Sequence, residues 1–172
     1  MFIVRLLICL LLLILMTGCS DIIDDLNPAG NDKSLLGNLI TTDYEIYDID
    51  GNLVNISDVL LSKDAVVLYF TMWCSACDSE MSHMQSTIIP DFSSNVTFFA
   101  VDYLSSSIAQ AAIGGNAWPA FTTLADINDT LENAFDGTMG ITVVIDSSHT
   151  LRMKELYDDG TRLRAVLEEI TP

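Results

Sequence analysis

Two cysteines stand three residues apart in Phe70-Thr71-Met72-Trp73-Cys74-Ser75-Ala76-Cys77. That spacing lets the sulfurs close a disulfide or stand open as a reactive dithiol. Ahead of them, Ala65-Val66-Val67-Leu68-Tyr69-Phe70 is an unbroken apolar run, the signature of a fully buried strand. Behind them, Asp78 to Ile89 reads as a helix that stops at Pro90. The cysteines therefore fall at a strand-to-helix junction. Cys74 is expected at the helix N-terminus, where unpaired backbone N–H groups and the helix dipole favour a thiolate. Cys77 is expected one turn in and less exposed. An outer nucleophile and an inner thiol that releases the mixed disulfide are what thiol–disulfide exchange requires. Glu80, three residues after Cys77 on a neighbouring helical face, is a candidate acceptor for the Cys77 proton.

The surroundings of the dithiol are acidic. No Lys or Arg occurs between Asp64 and Leu151, while Asp78 and Glu80 lie within a turn of the cysteines. Only the helix terminus is then available to stabilise the Cys74 thiolate, so a modest lowering of its pKa is expected and a strongly oxidising couple is not. The whole chain of 172 residues carries 7 basic and 24 acidic side chains, a formal charge of −17. Such a chain repels phosphate, so no nucleic-acid partner is expected.

The other two cysteines, Cys9 and Cys19, belong to the N-terminus. Arg5 precedes an apolar run, Leu6 to Met16, too short for a comfortable membrane span but the right shape for a secretory signal. Leu15-Met16-Thr17-Gly18-Cys19 resembles a bacterial lipobox, which implies cleavage before Cys19 and lipid attachment to it. Residues 1–18 are accordingly expected to be a lipoprotein signal peptide, 19–37 an acidic tether and 38–172 the folded domain. The expected location is the bacterial cell envelope, lipid-anchored to the membrane and facing the periplasm. Ser20 after the cysteine leans toward the outer membrane.

The elements that must hold the dithiol follow in order. Tyr44 to Ile49 and Leu53 to Ile56 read as short strands around an Asp50-Gly51-Asn52 turn, with Ser57 as cap of a short helix to Leu61. Val96 to Val101 and Ile141 to Ile145 are two more buried strands, Phe121 to Leu124 is a short extended piece, and Leu151 to Leu156 reads as an antiparallel edge strand. Helices are expected at Ser105 to Ile113, Asp129 to Phe135 and Thr161 to Ile170. The alternation gives an α/β class with a central mixed, mostly parallel sheet flanked by helices.

These markers together resemble the TlpA-like and redoxin (AhpC/TSA) branch of the thioredoxin-like superfamily. The similarity runs over about residues 40–170, from the Asp50-Gly51-Asn52 turn through Trp73-Cys74-Ser75-Ala76-Cys77 to Val143-Val144-Ile145-Asp146. It implies a thioredoxin-like fold and exchange with protein or peptide thiols, fed by a thiol electron donor, with Cys74 as nucleophile and Cys77 as resolving cysteine. Glu80 stands where that branch often carries a glutamate. The resemblance departs at the cis-proline that faces the dithiol. Its place reads Gly140-Ile141-Thr142, unless Trp118-Pro119 fills the role; the stronger strand at Ile141 to Asp146 favours the first frame. The substrate groove is then expected at Trp73, Gly140 and Ile141. The departure also admits a non-catalytic binding module as the alternative function.

No cofactor is expected. His83 and His149 could make a metal site with the two cysteines, as in copper-delivering relatives, but those relatives space their cysteines more widely and place their histidine before the last central strand, which His149 follows; no metal site is expected, and a copper-binding protein stays a lesser alternative. Thr71-x-x-Cys74 echoes thiol peroxidases, but Val67 replaces their proline and no arginine stands between Asp64 and Ile141 to serve as their supporting arginine. Met72, Met81 and Met84 read as packing residues rather than a ligand set.

Overall fold

A computed structural model describes residues 36–171. The expected signal peptide, Cys19 and most of the tether lie outside the described residues. From Leu36 onward the chain is tied to the rest: Leu36 packs against the core, Gly37 N–H donates to Leu151 O and Ile40 N–H donates to His149 O.

β1 (Glu45–Tyr47) and β2 (Leu53–Asn55) form an antiparallel hairpin. The Asp48 carboxylate ties its turn by accepting from the N–H groups of Asp50 and Asn52, and Gly51 supplies the left-handed φ of +83° that the turn demands. Asn55, not Ser57, caps α1 (Ile56–Leu60), its side chain accepting from Asp58 N–H.

β3 (Ala65–Thr71) is buried along its whole length. It lies at the centre of a five-stranded sheet with β4 (Val96–Asp102), β5 (Thr122–Ala125), β6 (Ile141–Asp146) and β7 (Leu151–Leu156), in the order β5-β4-β3-β6-β7. β4 runs parallel to β3 and β5 parallel to β4; β6 is antiparallel to both β3 and β7. Four of the five strands thus point one way. Burial on both faces explains why β3 reads as a continuous apolar run instead of an alternating one.

The period of two divides β3 between two cores. Ala65, Val67 and Tyr69 join the cluster that holds Cys77, Met81, Met84, Phe92 and Leu167. Val66, Leu68 and Phe70 join the opposite cluster with Ile46, Leu60, Leu131 and Phe135. Met81 and Met84 are fully buried, so they pack rather than ligate, each contributing roughly 1.5–3 kcal/mol by burial.

The helix after β3 differs from the expected one at both ends. α2 (Ser75–His83) begins at once after Cys74, which is its N-cap. A π-turn over Met84–Ile88 follows, and α3 (Ile89–Phe92) continues beyond Pro90. A π-turn widens the helix by one residue, which accommodates a proline ring and its missing N–H without ending the segment. α4 (Ile108–Gly115) starts at a Ser107 cap, three residues later than expected. α5 (Thr130–Phe135) follows Asp126, whose carboxylate accepts from the N–H groups of Thr130, Leu131 and Glu132. α6 (Thr161–Ile170) closes the domain with Leu163, Val166 and Leu167 inward.

Candidate active site

The dithiol sits where β3 gives way to α2. Trp73 bridges the two with a left-handed φ of +55°, a costly backbone for a bulky residue. Three contacts hold it there. Its N–H donates to Thr71 Oγ1 at 3.2 Å, its indole N–H donates to Asp102 Oδ2 at 2.6 Å, and its ring lies so close to Gly114 that a Cβ there would fall 2.3 Å from it. Asp102 is itself buried at the end of β4, and also accepts from Leu104 N–H, Ser105 N–H and the Ser105 hydroxyl. Trp73 is therefore clamped as a wall beside the cysteines.

The strained turn places Cys74 in extended backbone at the head of α2, with its sulfur 3.3 Å from Cys77 N–H. Cys74 is half-buried and Cys77 fully buried, and the sulfurs lie 2.6 Å apart as free thiols. The pair holds one hydrogen bond that either sulfur can donate, so it titrates in two coupled steps. With Cys74 as donor, that bond and then burial hold Cys74 above the usual thiol range. Burial pushes Cys77 up, but hydrogen bonds from Cys74, the backbone and Thr71 outweigh it and bring Cys77 below that range. The expected lowering at Cys74 is thus transferred to its partner, because the hydrogen bond between the sulfurs outweighs the helix-end N–H.

Glu80 is engaged by a different partner from the one expected. Its Oε2 accepts from the Tyr69 hydroxyl at 2.6 Å, and no hydrogen bond joins it to either cysteine among the described residues. Helical spacing alone put it near Cys77; the buried phenol one strand away captured it. Burial first, and then Glu80, pushes the Tyr69 pKa far up, with smaller contributions from both cysteines. Tyr157 meets Tyr69 edge-on, is pushed up to about 12 by burial and then by Glu80, and exchanges a 2.6 Å hydrogen bond with His83 Nδ1. His83 is thereby engaged with Tyr157, and His149 lies in the β6–β7 turn. Among the described residues, no three His, Cys, Asp or Glu side chains cluster as metal ligands.

The loop 137–140 faces the dithiol, because β6 pairs with β3. Trp118-Pro119 lies instead between α4 and the edge strand β5, so the first frame holds. No cis peptide occurs among the described residues. Where the cis-proline was sought, Gly140 takes a φ of +82°, donates its N–H to Phe70 O at 2.9 Å and accepts from Tyr157 N–H at 2.7 Å. Gly140 thus joins the loop to β3 and β7. Ile141 does not line a groove: it is fully buried in the core with Phe70 and Phe135. The residue that does meet the dithiol is Met139, whose thioether lies 3.2 Å from Cys74 Sγ and whose side chain is 40% exposed. Sequence reasoning passed over it. The signal was present, a soft sulfur one residue before the glycine that enters β6.

Neither a family model nor a curated protein matches the sequence. Solved structures do match its fold. A thioredoxin-like protein from Aeropyrum pernix superposes with a TM-score of 0.62 at 14% identity, covering 74% of this chain and 89% of that one. The fold is thioredoxin-like. The peroxidoxin BcpB from Mycobacterium tuberculosis matches with a TM-score of 0.64 at 21% identity over 80% and 98% of the two chains. DsbF of MTB, solved in mixed oxidised and reduced forms, gives 0.58 at 22% identity over 74% and 95%. At such identities the likeness speaks for this thioredoxin-like chain's architecture alone.

Proposed function

We propose that the protein is a thiol–disulfide oxidoreductase of the bacterial cell envelope. One observation carries this reading: a half-exposed Cys74 at a helix N-cap, with Cys77 buried directly behind it and in contact through sulfur. Either sulfur can hold the proton they share; with it on Cys77, the Cys74 thiolate attacks one sulfur of a protein or peptide disulfide, and the departing thiolate takes up a proton. Cys77, after losing its own proton, then attacks the Cys74 sulfur of the mixed disulfide and releases the second substrate thiol. Two electrons pass from the dithiol to the substrate, and an external thiol donor restores the pair. The lack of any Lys or Arg between Asp64 and Leu151 argues against a strongly oxidising couple and favours the reductase direction.

The envelope location rests on Arg5, the apolar run Leu6 to Met16 and the lipobox-like Thr17-Gly18-Cys19, which supply an address and a lipid anchor for a periplasm-facing domain. Ser20 favours the outer membrane.

The test is insulin reduction by the full chain carrying C9S and C19S in non-ionic detergent, with and without Cys74→Ser. Turnover that vanishes with Cys74 supports the reading. A redox titration of the same chain is expected between about −120 and −270 mV, the range of exchange catalysts. No Cys74-dependent turnover together with a potential below about −300 mV would mark the disulfide as a structural staple. The protein would then be a binding module that has kept the fold.

A further inference from the structure

Three sulfurs converge at Cys74, and the function proposed above uses only two of them. Cys74 Sγ lies 2.6 Å from Cys77 Sγ and 3.2 Å from the thioether of Met139. The donors come from a helix N-cap, the first turn of that helix and the loop entering β6.

Met139 is unlike the methionines that fill the core. Met81 and Met84 are fully exposed to none of the solvent, and Met153 is 2% exposed, whereas Met139 is 40% exposed. Hard and borderline ions lack their ligands at this place. Glu80 is bonded to Tyr69, His83 to Tyr157, and no cluster of His, Cys, Asp or Glu large enough to hold an ion occurs among the described residues. Two thiolates and one thioether form an all-soft set that suits the cuprous ion, whereas zinc takes four Cys, His or carboxylate ligands and no thioether. No Lys or Arg from Asp64 to Leu151 opposes a cation.

We infer that the reduced dithiol and Met139 form a three-sulfur site for one Cu(I) ion. Binding releases the two thiol protons, forms two copper–thiolate bonds and one copper–thioether bond, and leaves the oxidation states of copper and sulfur unchanged. With metal–sulfur bonds of about 2.3 Å, as in thiolate sites, a trigonal ion needs its sulfurs roughly 4 Å apart. The set must therefore open by about 1.4 Å between the two cysteines and by about 0.8 Å between Cys74 and Met139. Cys74, half-exposed at the N-cap, and Met139, flexible and half-exposed, are the two that can move. Cys77, buried in the core, is the fixed point. The inference requires the reduced dithiol but no disulfide exchange, so a chain inactive on insulin still tests it.

The experiment is anaerobic titration of the reduced full chain, carrying C9S and C19S in non-ionic detergent, with Cu(I) supplied as its bicinchoninate complex. One ion per chain is expected to be withdrawn from the chelator. Cys74→Ser is expected to abolish the withdrawal, and Met139→Leu, which conserves volume, to weaken it at least about tenfold. Copper X-ray absorption is expected to show three sulfur neighbours in the parent chain and two in Met139→Leu. Failure of the parent chain to compete for copper, or an affinity and sulfur shell unchanged by Met139→Leu, would overturn the inference.

Discussion

Gly140 occupies the place that the resemblance assigns to a cis-proline, and a proline there is expected to damage the fold. The present backbone has a φ of +82°, whereas proline is fixed near −65°. Proline also removes the N–H that donates to Phe70 O at 2.9 Å, and Phe70 is fully buried. An orphaned buried carbonyl costs about 1–3 kcal/mol. Rebuilding the loop would further strain the 2.7 Å bond from Tyr157 N–H to Gly140 O, which ties the loop to the end of β7. Gly140→Pro is therefore expected to lose about 3 kcal/mol or more. Gly140→Ala separates the terms. It keeps the N–H and pays only the left-handed conformation, about 1–2 kcal/mol. Its new Cβ would meet Glu80 Oε2 at 3.3 Å and a Leu156 methyl at 3.5 Å, both ends of side chains that can shift. The assay is urea unfolding of the reduced chain. With a slope of about 2 kcal/mol per M, the proline variant should lose roughly 1.5 M in midpoint and the alanine variant roughly half of that. A proline variant as stable as the parent would show that the loop readily adopts the other geometry, and would refute Gly140 as its structural substitute.

Other consequences follow from the same contacts. In Cys74→Ala, Cys77 keeps its burial and loses the hydrogen bond from Cys74, so its pKa should rise; thiolate absorbance against pH reads this, and an unchanged or lower value would contradict the shared-proton arrangement. Trp73→Phe removes one donor from buried Asp102, which keeps three others, so the expected loss is about 1–2 kcal/mol in denaturant unfolding. Tyr157 is held up at about 12, so its neutral form is favoured by folding. That stability is fully present below pH ~10 and is lost as pH rises toward the folded value. Tyr157→Phe should remove one of the late-ionising tyrosines from the phenolate absorbance titration, and early ionisation of Tyr157 would count against its burial. Lys154 is 1% exposed, with its ammonium 3.8 Å from Asp136. Lys154→Met should be neutral or stabilising, since apolar packing replaces a desolvated charge; a loss above about 2 kcal/mol would show that the ion pair matters more than the packing.

Much of this was legible in order along the chain. The apolar run of β3, the turn at Gly51 and the cysteine spacing are local patterns, fixed by side-chain polarity and backbone sterics within a few residues. They were enough to set the strand-to-helix junction, the α/β class and the two sulfurs on one helix turn. Helix ends were less legible, because a π-turn lets the chain run past Pro90, and that depends on how Met84 and Ile88 pack against the sheet. The site beyond the cysteines was decided by tertiary structure. Glu80 lies a short helical step from Cys77, yet its carboxylate went to a phenol eleven residues back, because a buried hydroxyl needs a partner more than a thiol does. Ile141 turned inward because the β6 register fixes which side chains face the core. Met139 reached Cys74 across sixty-five residues only because β6 lies antiparallel beside β3. The sequence by itself determined which atoms could do chemistry, since residue type and local spacing are written in it. Strand pairing decided which of them meet, since contacts between distant segments depend on the register and packing of the whole sheet.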